Sequence, residues 1–237
     1  MKPASALVQL GIPLLAIVVA GGVVTWVHRS APPTLRLRTT MRVGVGIGLW
    51  FAFSAALAGT GFLANFDATP PRAPLLLIPT LLLPTWLGFS RVGTYMTEAT
   101  PIVWLVGFHG FRLPLELLMH QAAWDGTMPE QMSYSGLNFD ILTGVSALLL
   151  AGYSLVARRE LPRFAVLAFN LIGTLLLIAI VAIAVASLPM FHAFGTEPER
   201  LNTWVATFPF VWLPAGLVAS ATLGHVVLWR RLLAKPG

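Results

Sequence analysis

The chain has 237 residues, of which 57% are hydrophobic and only 10% are charged, and its mean hydropathy is +0.79. A composition this apolar excludes a water-soluble globular domain. The absence of cysteine excludes disulfides, thiolate metal ligands and cysteine nucleophiles. The formal net charge of +6 comes from basic residues that flank the apolar segments, as in many membrane proteins, so we expect no nucleic-acid partner.

Apolar segments of about 17 to 26 residues recur along the chain, the length that a helix needs to cross a hydrocarbon core of roughly 30 Å. The period-two alternation of a membrane β-barrel is absent from them. The sequence therefore predicts an all-α, polytopic integral membrane protein that forms a single helical domain over residues 1–237. The seven predicted transmembrane helices cover residues 4–27, 43–63, 75–90, 100–121, 141–156, 164–188 and 204–229.

The first predicted span resembles a signal peptide, and the second contains a glycine pattern that resembles a dinucleotide-binding motif. The first follows Lys2 as a signal peptide would, but its apolar part exceeds the usual length of about 7–15 residues and ends in His28 and Arg29, so we expect a retained helix. The second contains VGVGIG, which lies inside a spanning helix and not between a strand and a helix, as a dinucleotide motif would. Gly44 and Gly48 are therefore predicted to allow close helix packing.

Prolines divide the third and the seventh predicted spans. Pro79 and Pro84 each remove a backbone donor, so we expect a kinked third helix, followed by a short loop over residues 91–98. Pro209 and Pro214 lie in the seventh span. Interrupted helices of this kind line the binding sites of many transporters.

The distribution of basic residues predicts the orientation. If all seven spans cross, about 11 of the 15 lysines and arginines lie on one side and about three on the other, with Arg112 left in the membrane. The chain is expected in the inner membrane of a bacterial cell. The positive-inside rule then places its amino terminus outside and its carboxyl terminus in the cytoplasm. The cytoplasmic set is Arg29, Arg36, Arg38, Arg42, Arg91, Arg158, Arg159, Arg163, Arg230, Arg231 and Lys235, and the outer set is Lys2, Arg72 and Arg200.

The fourth predicted span carries four ionisable residues on one face. At about 100° per residue, His109, Arg112, Glu116 and His120 fall near 0°, 300°, 340° and 20°, within an arc of roughly 80°. Ionisable groups in a membrane are costly, usually face the bundle interior and by default indicate a functional site. We therefore predict a substrate or proton pathway along this face. Pro114 lies within it and predicts a bend.

Two interpretations of this face remain open. Arg112 and Glu116 are spaced i, i+4 and would neutralise each other as a structural ion pair. Alternatively, Arg112 holds an anionic group while Glu116 exchanges protons with His109 or His120.

Asn138 and Asp140 precede the fifth predicted span. Asp140 has the position of a helix cap, where a carboxylate matches free amides and the helix dipole. In the alternative interpretation, both residues fold back towards His120 and form an outer vestibule.

A resemblance joins these two regions. The sequences GFRLPLELLMH and PEQMSYSGLNFDILTG resemble a segment of a family of uncharacterised bacterial multi-pass membrane proteins, with an R-x-P-x-E helix and an N-F-D-I-L-x-G helix start. The resemblance covers residues 101–144. It implies that Arg112, Glu116, Asn138 and Asp140 belong to one unit, and it implies no activity.

We expect no cofactor, and haem is the alternative. His109 and His120 lie roughly 16 Å apart along a straight helix, so one metal ion could not bind both. Each could instead ligate one of two stacked haems, with His225 and His192 as partners. Zinc motifs such as H-E-x-x-H are absent, so we predict no metal site and no catalytic residue, and we favour a non-enzymatic role.

The leading functional hypothesis is a small inner-membrane transporter or proton-coupled permease. Glu116 and the two histidines would handle protons, and Arg112 would hold an anionic group or Glu116 itself. The alternative is a non-catalytic accessory or assembly subunit of a larger membrane complex, whose charged face docks a partner helix. A haem-binding electron-transfer protein comes third. The expected partners are the lipid bilayer and either membrane subunits or further copies of the chain.

Overall fold

The computed structural model describes residues 3–234, and these residues form helices, turns and loops without a β-strand. Lys2 and Lys235, which contribute to the predicted charge asymmetry, lie outside the described residues. The helices are α1 (Ala6–Ser30), α2 (Arg36–Gly59), α3 (Pro74–Phe89), α4 (Arg91–Ala99), α5 (Ile102–Gly107), α6 (Arg112–Trp124), α7 (Ile141–Ala157), α8 (Arg163–Ala186) and α9 (Ala219–Leu233).

Several helices are long and apolar enough to cross a membrane. By length and composition, α1, α2, α8 and the unit Ile102–Trp124 meet this requirement, and the bent pair α3 and α4 becomes a fifth if it counts as one span. α7 is a shorter apolar helix of 17 residues. The prediction of an all-helical protein with several membrane-span-like helices is therefore confirmed, with four to five helices among residues 3–234 that are long and apolar enough to span.

A sharp bend separates α3 from α4, and it corrects the loop that was predicted over residues 91–98. Ser90 lies between the two helices with an extended backbone, and its hydroxyl accepts a hydrogen bond from the N–H of Val92 (3.1 Å). This cap starts a new helix at 66° to α3. The predicted kink positions, Pro79 and Pro84, lie inside a continuous α3.

A tight turn divides the fourth predicted span. α5 ends at Gly107, Phe108–Phe111 form a 3₁₀ turn, and α6 begins at Arg112. Because Pro114 has no N–H, the carbonyl of Gly110 lacks its usual helical donor, and the chain tightens in the preceding turn. The structure therefore has an interruption where the sequence predicted a bend.

The last predicted span begins later than expected. Trp204–Ala206 form a 3₁₀ turn, and continuous helix starts only with a π-helical turn at Leu213–Val218 that leads into α9. Pro209 has no N–H and disfavours helix at the preceding residue, so the helix cannot extend back across it. The predicted continuous helix is thus wrong over residues 204–211, which form a 3₁₀ turn and further turns.

Three apolar clusters form the core among the described residues, and two of them meet near the polar residues. One joins α1, α6 and the π-helical turn and includes Ile12 and Leu217, and the other joins α5, α7 and α9 and includes Leu105 and Val227. Phe108 packs against both clusters. The 3₁₀ turn between α5 and α6 therefore lies at their junction, which fixes the position of the polar residues beside it.

α2 lies at the edge of the bundle, and its buried residues are Ser54 and Ala58. A Cβ added at Gly44 would lie 3.8 Å from Val24 of α1, whereas a Cβ at Gly48 would have nothing within 4 Å among the described residues. The predicted G-x-x-x-G packing therefore involves Gly44 and α1, and residues 3–234 offer no contact within 4 Å of a Cβ at Gly48.

Hydrogen bonds connect the start of α1 to the end of α6. The backbone N–H of Ser5 donates to one carboxylate oxygen of Asp125 (2.8 Å), and Gln121 donates to the other (2.8 Å). Hydrogen bonding from Ser5 lowers the pKa of Asp125, because it stabilises the ionised carboxylate.

Candidate functional site

Arg112, the first residue of α6, lies at the centre of a buried polar cluster. It is 1% exposed and forms an ion pair with Asp140, which is 3% exposed and directly precedes α7. α7 approaches α6 closely because Gly144 has no side chain, and a Cβ added there would collide with the backbone of Leu113. Close packing thus brings the two charges together, and each neutralises the other, as buried charges require.

Glu116 has a different partner from the predicted one. Its carboxylate accepts a hydrogen bond from the side-chain amide of Asn138 (2.7 Å), and no ion pair within 4.0 Å joins it to Arg112 in the described structure. The amide oxygen of Asn138 accepts from the backbone N–H of Asp140 (3.0 Å). Asn138 therefore connects the carboxylate of Glu116 to the backbone of Asp140, and the cluster contains the four residues that the sequence resemblance placed in one unit.

Asp140 does not cap α7 with its side chain, although its position in the sequence suggested this role. Its carboxylate accepts hydrogen bonds from Arg112 and from the hydroxyl of Thr143 (2.9 Å). Both Asp140 and Asn138 are buried and face Arg112 and Glu116. In the described structure neither side chain forms a hydrogen bond with His120, whose ring is hydrogen-bonded to Ser133.

His225 of α9 completes the cluster in one defined tautomer. Its Nε2 lies 2.9 Å from a guanidinium nitrogen of Arg112, and its Nδ1 lies 2.8 Å from the side-chain oxygen of Asn170. A guanidinium only donates, so Nε2 is the acceptor and Nδ1 carries the proton that it donates to Asn170. The hydrogen bonds therefore hold His225 as a neutral imidazole.

His109 packs against His225 but makes no hydrogen bond through its ring nitrogens in the described structure. The two ring centroids are 4.1 Å apart. A Cβ at Gly224 would lie 2.8 Å from the ring of His109, and a Cβ at Gly173 would lie 2.7 Å from that of His225. Both glycines therefore give the two tilted rings the space they occupy. The rings are in direct contact with each other.

His120 belongs to a separate polar group. Its Nδ1 lies 3.0 Å from the hydroxyl of Ser133, and its ring stacks on that of Tyr134 with centroids 4.3 Å apart. His192, the other histidine of the haem hypothesis, is exposed in the loop after α8. The predicted face is therefore divided: His109, Arg112 and Glu116 join the buried cluster, and His120 does not.

A largely apolar cavity of about 90 Å³, the central chamber, adjoins the cluster. It lies between α3, α6, α8 and the π-helical turn, and Arg112, Glu116 and Asp140 contribute to its wall. Thr80 of α3 and Asn202 also line it, and each has a buried side-chain oxygen without a hydrogen-bond partner in the described structure. The chamber thus combines apolar walls, three ionisable groups and two side-chain oxygens without a hydrogen-bond partner in the described structure.

The cluster holds one guanidinium and two carboxyl groups. Arg112 is neutralised by Asp140, whereas Glu116 is hydrogen-bonded to a neutral amide. Among the described residues, no group of three or more histidine, aspartate or glutamate side chains is placed to hold a metal ion. The chemistry that this arrangement offers is the gain and loss of a proton at Glu116.

No family model, curated protein or solved structure matches this chain. Function is therefore inferred from the site. Sequence reasoning did not assign Asn170, Thr80 or Asn202 to it. Asn170 had a signal, since it is one of few polar residues in the otherwise aliphatic α8, but Thr80 and Asn202 had none.

Proposed function

We propose that this chain is a small proton-coupled transporter of a bacterial inner membrane and that Glu116 exchanges the proton. The position of Glu116 carries the proposal, because it lies in the wall of the central chamber with a neutral amide as its partner. Arg112 and Asp140 cancel each other, so the proton on Glu116 sets the net charge of the chamber. Buried carboxyl groups of this kind form proton relays in membrane transporters.

The same carboxyl group couples the proton to the substrate. With Glu116 ionised, the wall has one positive and two negative charges, and with Glu116 protonated it is neutral. A molecule in the chamber has a different affinity for these two states, and by linkage it changes the affinity of Glu116 for its proton. Reciprocal binding of this kind is the thermodynamic basis of coupled transport.

The lining indicates a small and largely apolar substrate with one polar group. A volume of about 90 Å³ corresponds to roughly three water molecules at the density of the liquid. Most of the wall is aliphatic, and the free oxygens of Thr80 and Asn202 would accept a hydrogen bond from the substrate. The polar end of the molecule would then lie beside Glu116.

Transport is testable in proteoliposomes that contain a pH-sensitive dye. We would add a panel of short-chain amines, alcohols and carboxylic acids and record the proton flux that each one causes. We expect substrate-dependent flux with the wild type and none with Glu116→Gln. The exposed Glu160 provides the matched control, and Glu160→Gln should transport as the wild type does. Equal flux with Glu116→Gln and the wild type would disprove the role of Glu116.

The burial of the charged face argues against the alternative in which an accessory subunit docks a partner helix on that face. His109, Arg112 and Glu116 are at most 1% exposed and are covered by residues of the same chain. An accessory subunit would therefore have to bind its partner through another surface, such as the outer face of α8.

We further propose that the chain crosses the membrane seven times with its carboxyl terminus in the cytoplasm. The additional crossings would be α7 and the unit Leu213–Leu233, and the arginine distribution supports this orientation. The native chain has no cysteine, so single substitutions report topology directly. A membrane-impermeant maleimide added to intact cells should label Thr196→Cys and leave Thr34→Cys unlabelled. The reverse pattern would contradict the orientation.

A further inference from the structure

A second cavity, the lateral groove, lies between α2 and α3, and residues of the π-helical turn and α9 also line it. Its volume is about 550 Å³. Its walls are largely apolar and include Ile47 and Trp50 of α2 and Leu83 and Leu87 of α3. Trp86, which also lines the groove, is 70% exposed, so the groove opens on the outer surface of the bundle. In a membrane, this surface faces lipid.

Two arginines, Arg42 of α2 and Arg91 of α4, also line the groove. Both are exposed, and neither has an ion-pair or hydrogen-bond partner in the described structure. Other arginines nearby are already engaged. Arg230 donates to the hydroxyl of Thr94 (2.9 Å) and to the backbone at the end of α3, and Arg231 donates to the carbonyl of Thr97 (3.4 Å). Arg42 and Arg91 are therefore free to bind an anion.

Both free arginines lie at the same end of the bundle. Trp26, near the end of α1, donates to the hydroxyl of Thr100, which follows α4 (2.7 Å). α4 therefore lies beside the carboxyl end of α1, and α2 begins a short connection after that end. Arg42 lies in the second turn of α2, and Arg91 is the first residue of α4. The groove thus has an apolar length and a positively charged end.

We propose that the lateral groove binds an anionic phospholipid, with an acyl chain along the apolar walls and the phosphate between Arg42 and Arg91. Basic pockets between membrane helices recognise anionic lipid head groups, and guanidinium groups bind phosphate through charge-assisted hydrogen bonds. The π-helical turn lines both cavities, with Leu217 in the central chamber and Gly216 in the groove. Only this turn would therefore separate a lipid at Gly216 from the chamber.

Native mass spectrometry of the full chain in mild detergent tests this site. The protein would be titrated with dioleoyl phosphatidylglycerol and, separately, with dioleoyl phosphatidylcholine, which has the same chains and no net charge. We expect the wild type to retain the anionic lipid preferentially. Each of Arg42→Gln and Arg91→Gln should reduce this preference about fivefold, which corresponds to about 1 kcal/mol per basic residue at an anionic surface. Glycerol 3-phosphate, which has the head group without chains, should not bind at the same concentrations.

A control removes twice as much charge elsewhere. Arg158 and Arg159 are exposed, and changing both to glutamine should leave the preference intact. The apolar part is tested by Gly46→Leu, because Gly46 lines the groove and a Cβ there has nothing within 4 Å, so the larger side chain would occupy the groove without a clash. We expect it to weaken the binding of both lipids. The proposal is overturned if the Arg42 and Arg91 variants bind as the wild type does, or if the control reduces the preference equally. Failure of the transport assay would leave this test unaffected.

Discussion

Removal of the guanidinium of Arg112 should destabilise the protein strongly. In Arg112→Met the carboxylate of Asp140, 3% exposed, would keep only the hydroxyl of Thr143 as a side-chain partner. The Nε2 of His225 would also lose its donor. Breaking a buried ion pair by removing one member costs about 3–5 kcal/mol, since the remaining charge stays buried without compensation.

This free energy corresponds to a measurable change in melting temperature. For a chain of this size, 1 kcal/mol shifts the transition by roughly 2–4 °C, so Arg112→Met should melt about 6–20 °C below the wild type. The protein contains eight tryptophans, and Trp204 is 1% exposed, so intrinsic fluorescence in detergent reports the transition. Arg159→Met is the matched control, because Arg159 is exposed, and it should melt within about 2 °C of the wild type.

A second variant separates the ion pair from a loss of packing. In the double change Arg112→Met with Asp140→Asn, neither member of the ion pair leaves a charge behind, and we expect at least half of the lost stability to return. The reasoning fails if Arg112→Met melts as the wild type does. It fails equally if the double variant is no more stable than the single one.

Three further predictions concern other parts of the chain. Gly144→Ala should destabilise by about 1–3 kcal/mol because its Cβ would collide with α6, whereas Gly152→Ala, with open space around it, should melt as the wild type does or slightly higher. Thr80→Val should leave the melting temperature unchanged or raised, because the hydroxyl has no partner in the described structure, but it should weaken substrate-dependent proton flux if that oxygen binds substrate. Because its pKa is lowered in the folded chain, Asp125 contributes stability that is complete above its ordinary pKa, near 4, and is lost as the pH falls through the lowered pKa. The melting temperature of Asp125→Asn should therefore fall less than that of the wild type between pH 6 and pH 3, and equal losses would contradict the contribution of the link to Ser5.

The sequence was most informative where a property is local to one segment. Apolar length and composition predict the helices α1, α2 and α8, because the hydrocarbon thickness fixes the number of residues that a helix needs. The same holds for the interruption near Pro114, since a missing N–H acts within one turn. α4 was missed because the capping hydroxyl of Ser90 is a weak signal beside the two prolines of α3.

The candidate site could be predicted in part. The helical period placed His109, Arg112 and Glu116 on one face, and the bundle buries all three. The pairing could not be decided from the sequence: the spacing of Arg112 and Glu116 permits an ion pair on an isolated helix, but in the structure Asp140 pairs with the guanidinium. Which carboxylate pairs with it depends on how closely α6 and α7 pack, and this distance is set by Gly144.

By itself, the sequence determined that this is an all-helical membrane protein with ionisable residues inside one of its spans. These properties follow from hydropathy and helical period, which depend on neighbouring residues only. Only the tertiary structure decided that Arg112 binds Asp140, 28 residues away, and His225, 113 residues away. Contacts over such separations depend on helix packing, and in lipid this packing is decided by the close fit of small residues and by buried hydrogen bonds.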